Sequence, residues 1–455
     1  MKTDLIGKQL SMFSSNEIKF IDLFAGLGGI RLGFEQACKE LGLNSTCVLT
    51  SEIKETAIEA YLNNFSETNI VGDIRQLQSK NIPNFDFLLA GFPCQAFSYA
   101  GKGLGFLDTR GTLFFEVERI LREKQPFGFL LENVEGLITH DREKPSDKIG
   151  RTLKTILSSL ENLGYKISWK LIDSQFYGVA QSRKRIYIVG TKTIKPEIKE
   201  CKQDKVIFSQ IKEKNQKVIN SHFTDCLLKH YNPFELYGKA IKDKRGGKDN
   251  IHSWDIGLKG EISDQQKIIL EKLFKERRKK HWASDIGIDW MDGMPLTLNQ
   301  IKTFCNFDNL KEMLDDLVLK GYLVKEYPKK KSIKQTESGP IELREQDKTK
   351  PIGYNIVSGK LSFEFTKILD DNDISPTLVA MDALKLGVVD GNGIRHLTIR
   401  EGLRLFGYPD SYNLEMFNNK KNISKAFDLL GNTVIVPVIK HVTKQLLELY
   451  KKETI

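Results

Sequence analysis

Cys94 is the residue whose type and setting most directly suggest chemistry. It lies in Gly91–Ser98 (GFPCQAFS), immediately after an apolar run, Phe85–Ala90, that is typical of a buried strand. A cysteine thiolate is the strongest side-chain nucleophile near neutral pH when local positive charge favours it. A buried and inert cysteine is the usual alternative for this residue type. The local sequence by itself leaves both interpretations open.

The other five cysteines show neither a C-x-x-C pair nor a disulfide-like spacing, which fits a reducing compartment. We interpret these five as small core residues: Cys38, Cys47, Cys201, Cys226 and Cys305. No metal site is predicted from the sequence.

A second group of residues could hold an adenosine-containing cofactor. The glycines of Phe24–Ile30 (FAGLGGI) separate a strand from a helix, which lets the backbone approach a ligand closely. Glu52 follows the next strand, where a carboxylate can accept hydrogen bonds from ribose hydroxyls. Asp73 follows another strand end and could accept from an adenine amino group. A tight turn with two surface acids remains the alternative, and the loop lacks the lysine of a phosphate-binding P-loop.

These residues follow strands in a regular alternation that occupies the first 190 positions. The predicted strands are Ile18–Phe24, Thr46–Ser51, Phe85–Ala90, Phe127–Leu131 and Arg185–Val189. The predicted helices are Ile30–Leu41, Glu55–Phe65, Thr112–Glu123 and Lys148–Leu163. Apolar strands separated by helices predict a parallel sheet covered on both faces, with ligands at the carboxyl ends of its strands.

The pattern changes after Gly190. Residues 191 to about 370 are rich in Lys, Asp and Asn, and Lys275–His281 (KERRKKH) is either a solvated helix face or a basic patch. Thr297–Phe304 and Asn309–Lys320 are predicted helices followed by Tyr322–Lys325, an order that could form a helix-turn-helix with a wing. Pro328–Lys350 is predicted to be a polar linker or mobile loop.

Regular structure returns near the end of the sequence. Leu397–Tyr408 is predicted to be a helix capped by Gly407, with Pro409 just beyond it. Thr433–Leu449 is predicted to be a strand or turn that leads into a final helix. The chain is therefore expected to form one large α/β lobe that an irregular module interrupts.

Composition limits the class of protein. The 455 residues suffice for two or three domains, and 40% hydrophobic with 28% charged residues is typical of a soluble globular protein. The net charge of +10 is compatible with a polyanionic partner, although many basic proteins have none. No apolar run approaches the roughly 20 residues that span a bilayer, and Met1–Asn16 does not resemble a signal peptide. We therefore expect a cytoplasmic protein without a membrane partner.

The segment GFPCQAFS resembles the catalytic motif of the cytosine-5 DNA methyltransferases, and the other signature blocks of that family follow in order. FAGLGG at 24–29 is similar to the cofactor loop, and Glu132-Asn133-Val134 and Gln181-x-Arg183-x-Arg185 match two further motifs. Residues 395–410 (RHLTIREGLRLFGYPD) and 431–434 (GNTV) resemble the last two blocks. The match covers roughly residues 18–190 and 374–445 and indicates the bacterial restriction–modification type.

The resemblance implies a fold and its domains. The expected fold is α/β, a Rossmann-like S-adenosylmethionine-dependent methyltransferase domain with an inserted, irregular target-recognition domain. Residues 1–190 would form the catalytic domain and 191–394 the DNA-binding target-recognition domain. Residues 395–455 would form a last segment, of which 425–455 return to the catalytic domain.

The resemblance also implies a mechanism. The Cys94 thiolate would attack carbon 6 of a cytosine flipped out of the helix, so that carbon 5 can take a methyl group from S-adenosylmethionine. Glu132 would bind or protonate ring nitrogen 3, a task that favours a raised pKa. Arg185 would hold the exocyclic oxygen, and Arg183 would support the site.

The resemblance also implies which residues bind the cofactor and which contact DNA. The candidate cofactor residues are Phe24, Gly26, Gly28, Gly29, Glu52, Ile53, Asp73, Ile74, Leu113, Asn432 and Val434. Ile53 departs from the family pattern, since many relatives have a bulkier aromatic residue there. The glycine-rich segment Ala100–Gly111 is a candidate lid over the flipped base. The candidate DNA contacts are Gln95, Ser98, Lys102, Arg110, Gln181 and Thr377.

Three alternative functions can be compared with the motifs of this sequence. A zinc-dependent cytosine deaminase needs P-C-x-x-C and H-x-E, and this chain has neither. A tRNA-directed cytosine-5 methyltransferase shares the catalytic blocks, but the long Lys-rich insertion favours duplex DNA. A non-catalytic DNA-binding protein on the same fold is disfavoured by the intact Cys94, Glu132 and Arg185. We expect a monomer that acts on duplex DNA, with a cognate restriction endonuclease acting on the same sequence.

Overall fold

The computed structural model describes residues 17–66, 69–93, 113–243, 250–288, 293–336, 339–357, 363–380, 382–419 and 421–454. The strands in this part of the chain are β1 Glu17–Leu23, β2 Asn44–Ser51, β3 Ile70–Val71, β4 Phe87–Ala90, β5 Gly128–Val134, β6 Lys166–Asp173, β7 Lys184–Thr191, β8 Ala240–Ile241, β9 Asn250–Ile251, β10 Leu323–Glu326, β11 Lys329–Thr336, β12 Gly339–Gln346, β13 Gly353–Ile356, β14 Lys367–Ile368, β15 Leu386–Asp390 and β16 Gly393–His396. The helices are α1 Gly29–Glu40, α2 Glu55–Asn64, α3 Leu113–Lys124, α4 Gly136–Thr139, α5 Arg151–Asn162, α6 His222–His230, α7 Asp264–Glu276, α8 His281–Ser284, α9 Leu298–Lys302, α10 Leu310–Leu319, α11 Ile399–Leu405, α12 Ile423–Gly431 and α13 Val436–Thr454.

The chain divides into two compact units. The first unit comprises 1–214, 370–384 and 397–455, and the second comprises 215–369 and 385–396. The first unit thus extends beyond position 190 and also includes the short segment 370–384, which contains Thr377. The functional domain boundaries at 190 and 394 remain predictions. None of the helices in the described ranges is long and apolar enough to cross a bilayer.

A seven-stranded sheet in the order β3-β2-β1-β4-β5-β7-β6 forms the centre of the first unit. Its inner strands are buried on both faces, and every residue of Phe87–Ala90 has no exposed surface. This burial explains why these strands read as continuous apolar runs in the sequence. The strands from β3 to β5 are parallel, as predicted.

The prediction of an all-parallel sheet is wrong at one edge. Strand β7 runs antiparallel to both of its neighbours, β5 and β6. The connection Ser174–Arg183 is shorter than the dozen or more residues that a parallel crossover requires. Strand β6 was not predicted, because most of its side chains are only half-buried and it lacks a continuous apolar run.

The last helix of the chain belongs to the core of this unit. Helix α13 packs against α1 so closely that a Cβ on Gly33 would lie 2.7 Å from the Ile439 Cβ and 2.9 Å from the Val436 carbonyl oxygen. The helix begins at Val436, without a preceding strand in 433–435. The helix predicted over 397–408 spans only Ile399–Leu405, and Gly407 follows it with a φ of +74°.

The second unit contains two hydrophobic clusters. One lies around the five-stranded sheet in the order β16-β15-β14-β8-β9 and includes residues of α6. The other joins α7, α9 and α10 to the antiparallel pair β10–β13. The two helices and the strand predicted between 297 and 325 are present as α9, α10 and β10.

The prediction of a linker at Pro328–Lys350 is wrong. This segment forms the antiparallel hairpin β11–β12, with register from Lys329↔Gln346 to Thr336↔Gly339. Sequence patterning did not reveal it, because the described side chains of this hairpin are mostly exposed, and an exposed strand does not need alternating apolar residues.

Candidate active site

The chain reaches the Cys94 segment from strand β4, beside Glu132. A Cβ on Gly91 would lie 3.6 Å from Glu132 Oε2, and Asn133 Nδ2 donates to the Phe92 carbonyl at 3.1 Å. Strand β5 therefore carries both an acid and an amide that fixes the entry into this segment. Cys94 itself and the candidate DNA contacts Gln95, Ser98, Lys102 and Arg110 lie outside the described residues.

Glu132 and Arg185 form an ion pair across the antiparallel strands β5 and β7. The register places Val134 opposite Arg185, and Arg185 Nε lies 3.2 Å from Glu132 Oε1. Burial raises the pKa of the Glu132 carboxyl, while the charges of Arg185 and Arg183 act in the opposite direction. The site thus combines an acid that holds its proton more strongly than usual with a fixed cation, the pair needed to stabilise developing negative charge.

A cavity of about 290 Å³ opens beside this ion pair. It is lined by Val134, Glu135, Gly136, Ser182, Lys184, Arg185 and Thr377. Thr377 Oγ1 donates to the Ser182 carbonyl at 2.7 Å, which fixes it at the cavity wall. The structure therefore brings Thr377 close to Arg185 although the two are far apart in sequence.

Gln181 and Arg183 hold the surrounding segments together. Gln181 is fully buried; its side chain donates to the Leu405 carbonyl and accepts from the Leu378 amide. Both ends of its amide are thus engaged within the protein, where they hold the segment that carries Thr377. The contact of Gln181 with DNA stays a prediction.

Arg183 also connects separate segments of the chain, and its predicted catalytic role stays a prediction. Its guanidinium is buried and donates to the carbonyls of Leu378, Gly431 and Thr433 at 3.0–3.1 Å. These bonds join β7 to two segments, one 195 residues later in the chain and the other 248–250 residues later. Arg183 still contributes positive charge to the surroundings of Glu132.

The glycine loop, Glu52 and the Asp73 segment lie side by side at one edge of the sheet, as the sequence predicts. Backbone hydrogen bonds run from the Ala25 amide to Ser51 and from the Glu52 amide to Val71. Glu52 Oε2 accepts from the Gly26 amide at 2.8 Å, and its Oε1 accepts from the Ile53 and Lys54 amides. Gly26 has a φ of +55°, a conformation that favours glycine.

The surroundings of Glu52 fit a nucleoside. A Cβ on Gly26 or Gly72 would meet no atom within 4 Å, so space is open there. Ile53 exposes 71% of its surface next to the Glu52 carboxylate, which offers an apolar face for a purine ring. Asp73 pairs with Arg75, whose hydrogen bonds lower the pKa of Asp73 and keep it ionised.

The other candidate cofactor residues differ in their exposure. Phe24 and Leu113 are half-buried, whereas Ile74 and Val434 are buried. Asn432 is exposed, and its side chain donates to the Asp428 carbonyl at the end of α12. Gly28 and Gly29 serve close packing: a Cβ on Gly28 would lie 2.4 Å from a ring carbon of Phe65.

Tyrosines beneath the loop were not singled out from the sequence. Tyr408 Oη hydrogen-bonds with Thr433 Oγ1 at 2.6 Å, and Tyr412 Oη donates to the Leu27 carbonyl at 2.6 Å. Only Tyr408 lies inside a family block quoted above. On the other side of the loop, Tyr61 donates to Asp22, whose burial raises the pKa of that carboxyl to about 7.

Gly29→Ala is expected to lower the free energy of unfolding by about 1–3 kcal/mol. The new Cβ would lie 2.5 Å from Tyr408 Oη and 2.9 Å from Val434 Cγ2, so the loop and the last segments must separate. Urea denaturation of the full chain measures the change. Gly72→Ala is the matched control, because it adds a methyl group into open space. Equal stability of both variants would contradict the close packing at Gly29.

The five described cysteines are free, and three of them fit the predicted core role. Cys38, Cys47 and Cys305 are buried, but Cys201 and Cys226 are only half-buried, which corrects the prediction for these two. Burial raises the pKa of Cys38 to about 12 and that of Cys47 to about 11, which disfavours their thiolates.

Comparison with related sequences agrees with this site. The sequence model of the C-5 cytosine-specific DNA methylase family matches residues 18–448. The Type II methyltransferase M.NlaIV of Neisseria lactamica is 56% identical over 431 residues, which cover 95% of this chain and 99% of that protein. M.NgoBV of Neisseria gonorrhoeae is 54% identical with the same coverage. M.BanI of Aneurinibacillus aneurinilyticus is 43% identical over 457 residues, which cover 95% and 96%.

Comparison with solved structures supports the fold. The Entamoeba histolytica methyltransferase EhMeth superimposes with a TM-score of 0.51 at 16% identity, over 95% of this chain and 99% of that one. With the family match across nearly the whole sequence, the chain belongs to the C-5 cytosine-specific DNA methylases and is a DNA cytosine-5-methyltransferase.

Proposed function

We propose that this enzyme methylates carbon 5 of a cytosine flipped out of a specific duplex DNA sequence, through a covalent adduct with Cys94. The observation that carries the proposal is the buried Glu132–Arg185 pair beside the chain entering the Cys94 segment. An acid with a raised pKa next to a fixed guanidinium suits a ring that gains negative charge during nucleophilic attack.

Each residue has a defined task in this reaction. The Cys94 thiolate adds to carbon 6, while the Glu132 carboxyl donates a proton or hydrogen bond to nitrogen 3. Arg185 holds the exocyclic oxygen and, through its ion pair, orients Glu132. After methyl transfer, loss of the carbon 5 proton and elimination of the thiolate restore the aromatic ring. Flipping is required because these ring atoms are stacked inside a duplex.

S-adenosylmethionine is the proposed cofactor, and its sulfonium supplies an electrophilic methyl group. Glu52 would accept from the ribose hydroxyls, and Ile53 would pack on the adenine through its exposed side chain. Asp73 and Ile74 would hold the adenine edge, with Phe24, Leu113, Asn432 and Val434 completing the pocket. Gly26, Gly28 and Gly29 would let the backbone approach the ligand.

The second unit is the proposed target-recognition domain. Within the first unit, Thr377 would contact DNA from the cavity wall beside Arg185. Gln95, Ser98, Lys102 and Arg110 are further proposed contacts, the last two from a lid over the extruded base. We also propose that the enzyme is a cytoplasmic monomer that protects host DNA from a cognate restriction endonuclease, because its relatives are named Type II methyltransferases.

Methyl transfer from labelled S-adenosylmethionine to duplex DNA and to tRNA, measured side by side, tests the substrate. We expect label in duplex DNA, and label in tRNA alone would overturn this assignment. Bisulfite sequencing of DNA from cells that express the wild type should show protected cytosines within one short sequence. Cells that express the Cys94→Ala variant provide the matched control and should show none.

A further inference from the structure

The second unit contains a long basic hairpin with no assigned role. Helices α7, α9 and α10 and strands β10 and β13 share one core, and an isolated antiparallel bridge joins Leu296 to Tyr354. The hairpin β11–β12 extends from this small sheet, between β10 and β13 in sequence. Each of its strands has eight residues, so the ribbon is about 27 Å long.

The described side chains of the ribbon, at 329–333 and 343–346, are mostly exposed, and its positive charge is concentrated on one strand. Strand β11 (KKKSIKQT) has four lysines and no acid, whereas β12 (GPIELREQ) has one arginine and two glutamates. Ile333 exposes 73% of its surface and Leu343 exposes 37%. An isolated two-stranded hairpin is only marginally stable in water. A partner that covers the exposed side chains of Lys330, Lys331, Ile333 and Leu343 would therefore stabilise the ribbon.

The base of the ribbon is held in a defined position. The Asp347 amide donates to the Pro328 carbonyl at 2.7 Å, where the two strands meet the sheet. Asp347 Oδ1 also accepts from Thr349 and lies 3.8 Å from Lys330 Nζ. These contacts fix where the ribbon leaves the small sheet.

Helix α10 is poorly suited to bind a polyanion. In a helix-turn-helix the second helix usually enters the major groove. Helix α10 (LKEMLDDLVL) has three acids and one lysine. Asp315 pairs with Lys325, and Asp316 pairs with Lys320. These two acids therefore also neutralise the lysines next to the helix. The charge of this module therefore favours phosphate contacts on the ribbon rather than on the helix.

We propose that the ribbon β11–β12 inserts into the major groove of the substrate duplex and that the lysines of β11 contact its phosphates. The major groove, about 12 Å wide, admits a two-stranded ribbon, and neutralised phosphates provide sequence-independent affinity. This inference rests on the proposed function, because it takes duplex DNA as the substrate. It assigns DNA binding to the ribbon β11–β12 and a structural role to helix α10.

Salt-dependent binding of the full chain to a duplex containing the methylated sequence tests this assignment. K330Q/K331Q removes two charges from the ribbon, and K302Q/K311Q removes two exposed charges from α9 and α10. We expect the ribbon variant to reduce the slope of log K against log salt by about two and to weaken binding roughly tenfold at low salt. The helix variant should retain the wild-type slope.

The outcomes separate this proposal from the proposed function. A normal slope in K330Q/K331Q, or a reduced slope only in K302Q/K311Q, overturns the role of the ribbon while wild-type methylation of DNA stands. If the wild type methylates only RNA, the proposed function fails, and the binding slopes on duplex DNA still report on the ribbon. Circular dichroism of each variant checks that these surface substitutions leave the fold intact.

Discussion

Cys94→Ala is expected to reduce methyl transfer to duplex DNA by at least about 10⁴-fold. Without a nucleophile at carbon 6, carbon 5 keeps its aromatic character and cannot attack the methyl group. Single-turnover rates with saturating cofactor measure the chemical step directly. Substrate DNA containing 5-fluorocytosine provides a second readout, since fluorine cannot leave as the carbon 5 proton does and the covalent adduct persists.

Cys201→Ala is the matched control for this prediction. Cys201 is another free thiol with partial exposure, and it lies outside the family blocks that contain Cys94 and Glu132. We expect this variant to retain the wild-type rate and to form the 5-fluorocytosine adduct, whereas Cys94→Ala forms none. An adduct with Cys94→Ala, or a rate within about tenfold of the wild type, would show that another residue initiates the reaction.

Glu132→Gln is expected to lower the single-turnover rate by about 10²–10⁴-fold. Glutamine can still donate a hydrogen bond to the ring, but it cannot transfer a proton to nitrogen 3. Because the carboxyl group is buried, its pKa lies above the ordinary value of 4.5. The protonated form therefore persists to higher pH than in an exposed glutamate.

The pH profile identifies the protonation state that Glu132 needs. If the acid form donates the proton, the wild-type rate falls as pH rises through the raised pKa of Glu132, and this limb is absent in Glu132→Gln. Glu161→Gln, on the exposed face of α5, is the control and should match the wild type at every pH. A variant Glu132→Gln that keeps both the wild-type rate and the same limb would exclude Glu132 as the acid.

Much of the first unit follows from local sequence. Strands β4 and β5 are buried almost throughout, and β1 is buried from Phe20 to Leu23, so these parts read as apolar runs. The glycines of the loop after β1 mark a turn with positive φ, which glycine adopts most readily. The secondary-structure predictions were wrong where solvent exposure of a strand removed its apolar pattern. Strand β6 is only half-buried at the edge of the sheet, and the described side chains of the hairpin β11–β12 are mostly exposed. Neither segment shows the continuous apolar run of a buried strand.

Part of the candidate site likewise follows from the sequence, and part depends on the tertiary structure. The sequence by itself determined which residues could react or bind, through the Cys94 segment, the glycine loop and the motifs that resemble one family. Only the tertiary structure decided that Glu132 pairs with Arg185, because this depends on the antiparallel register of β5 and β7. It likewise decided that Arg183 is an internal anchor. The Gly431 carbonyl that Arg183 binds lies 248 positions along the chain, a separation over which packing, rather than local periodicity, determines which groups meet.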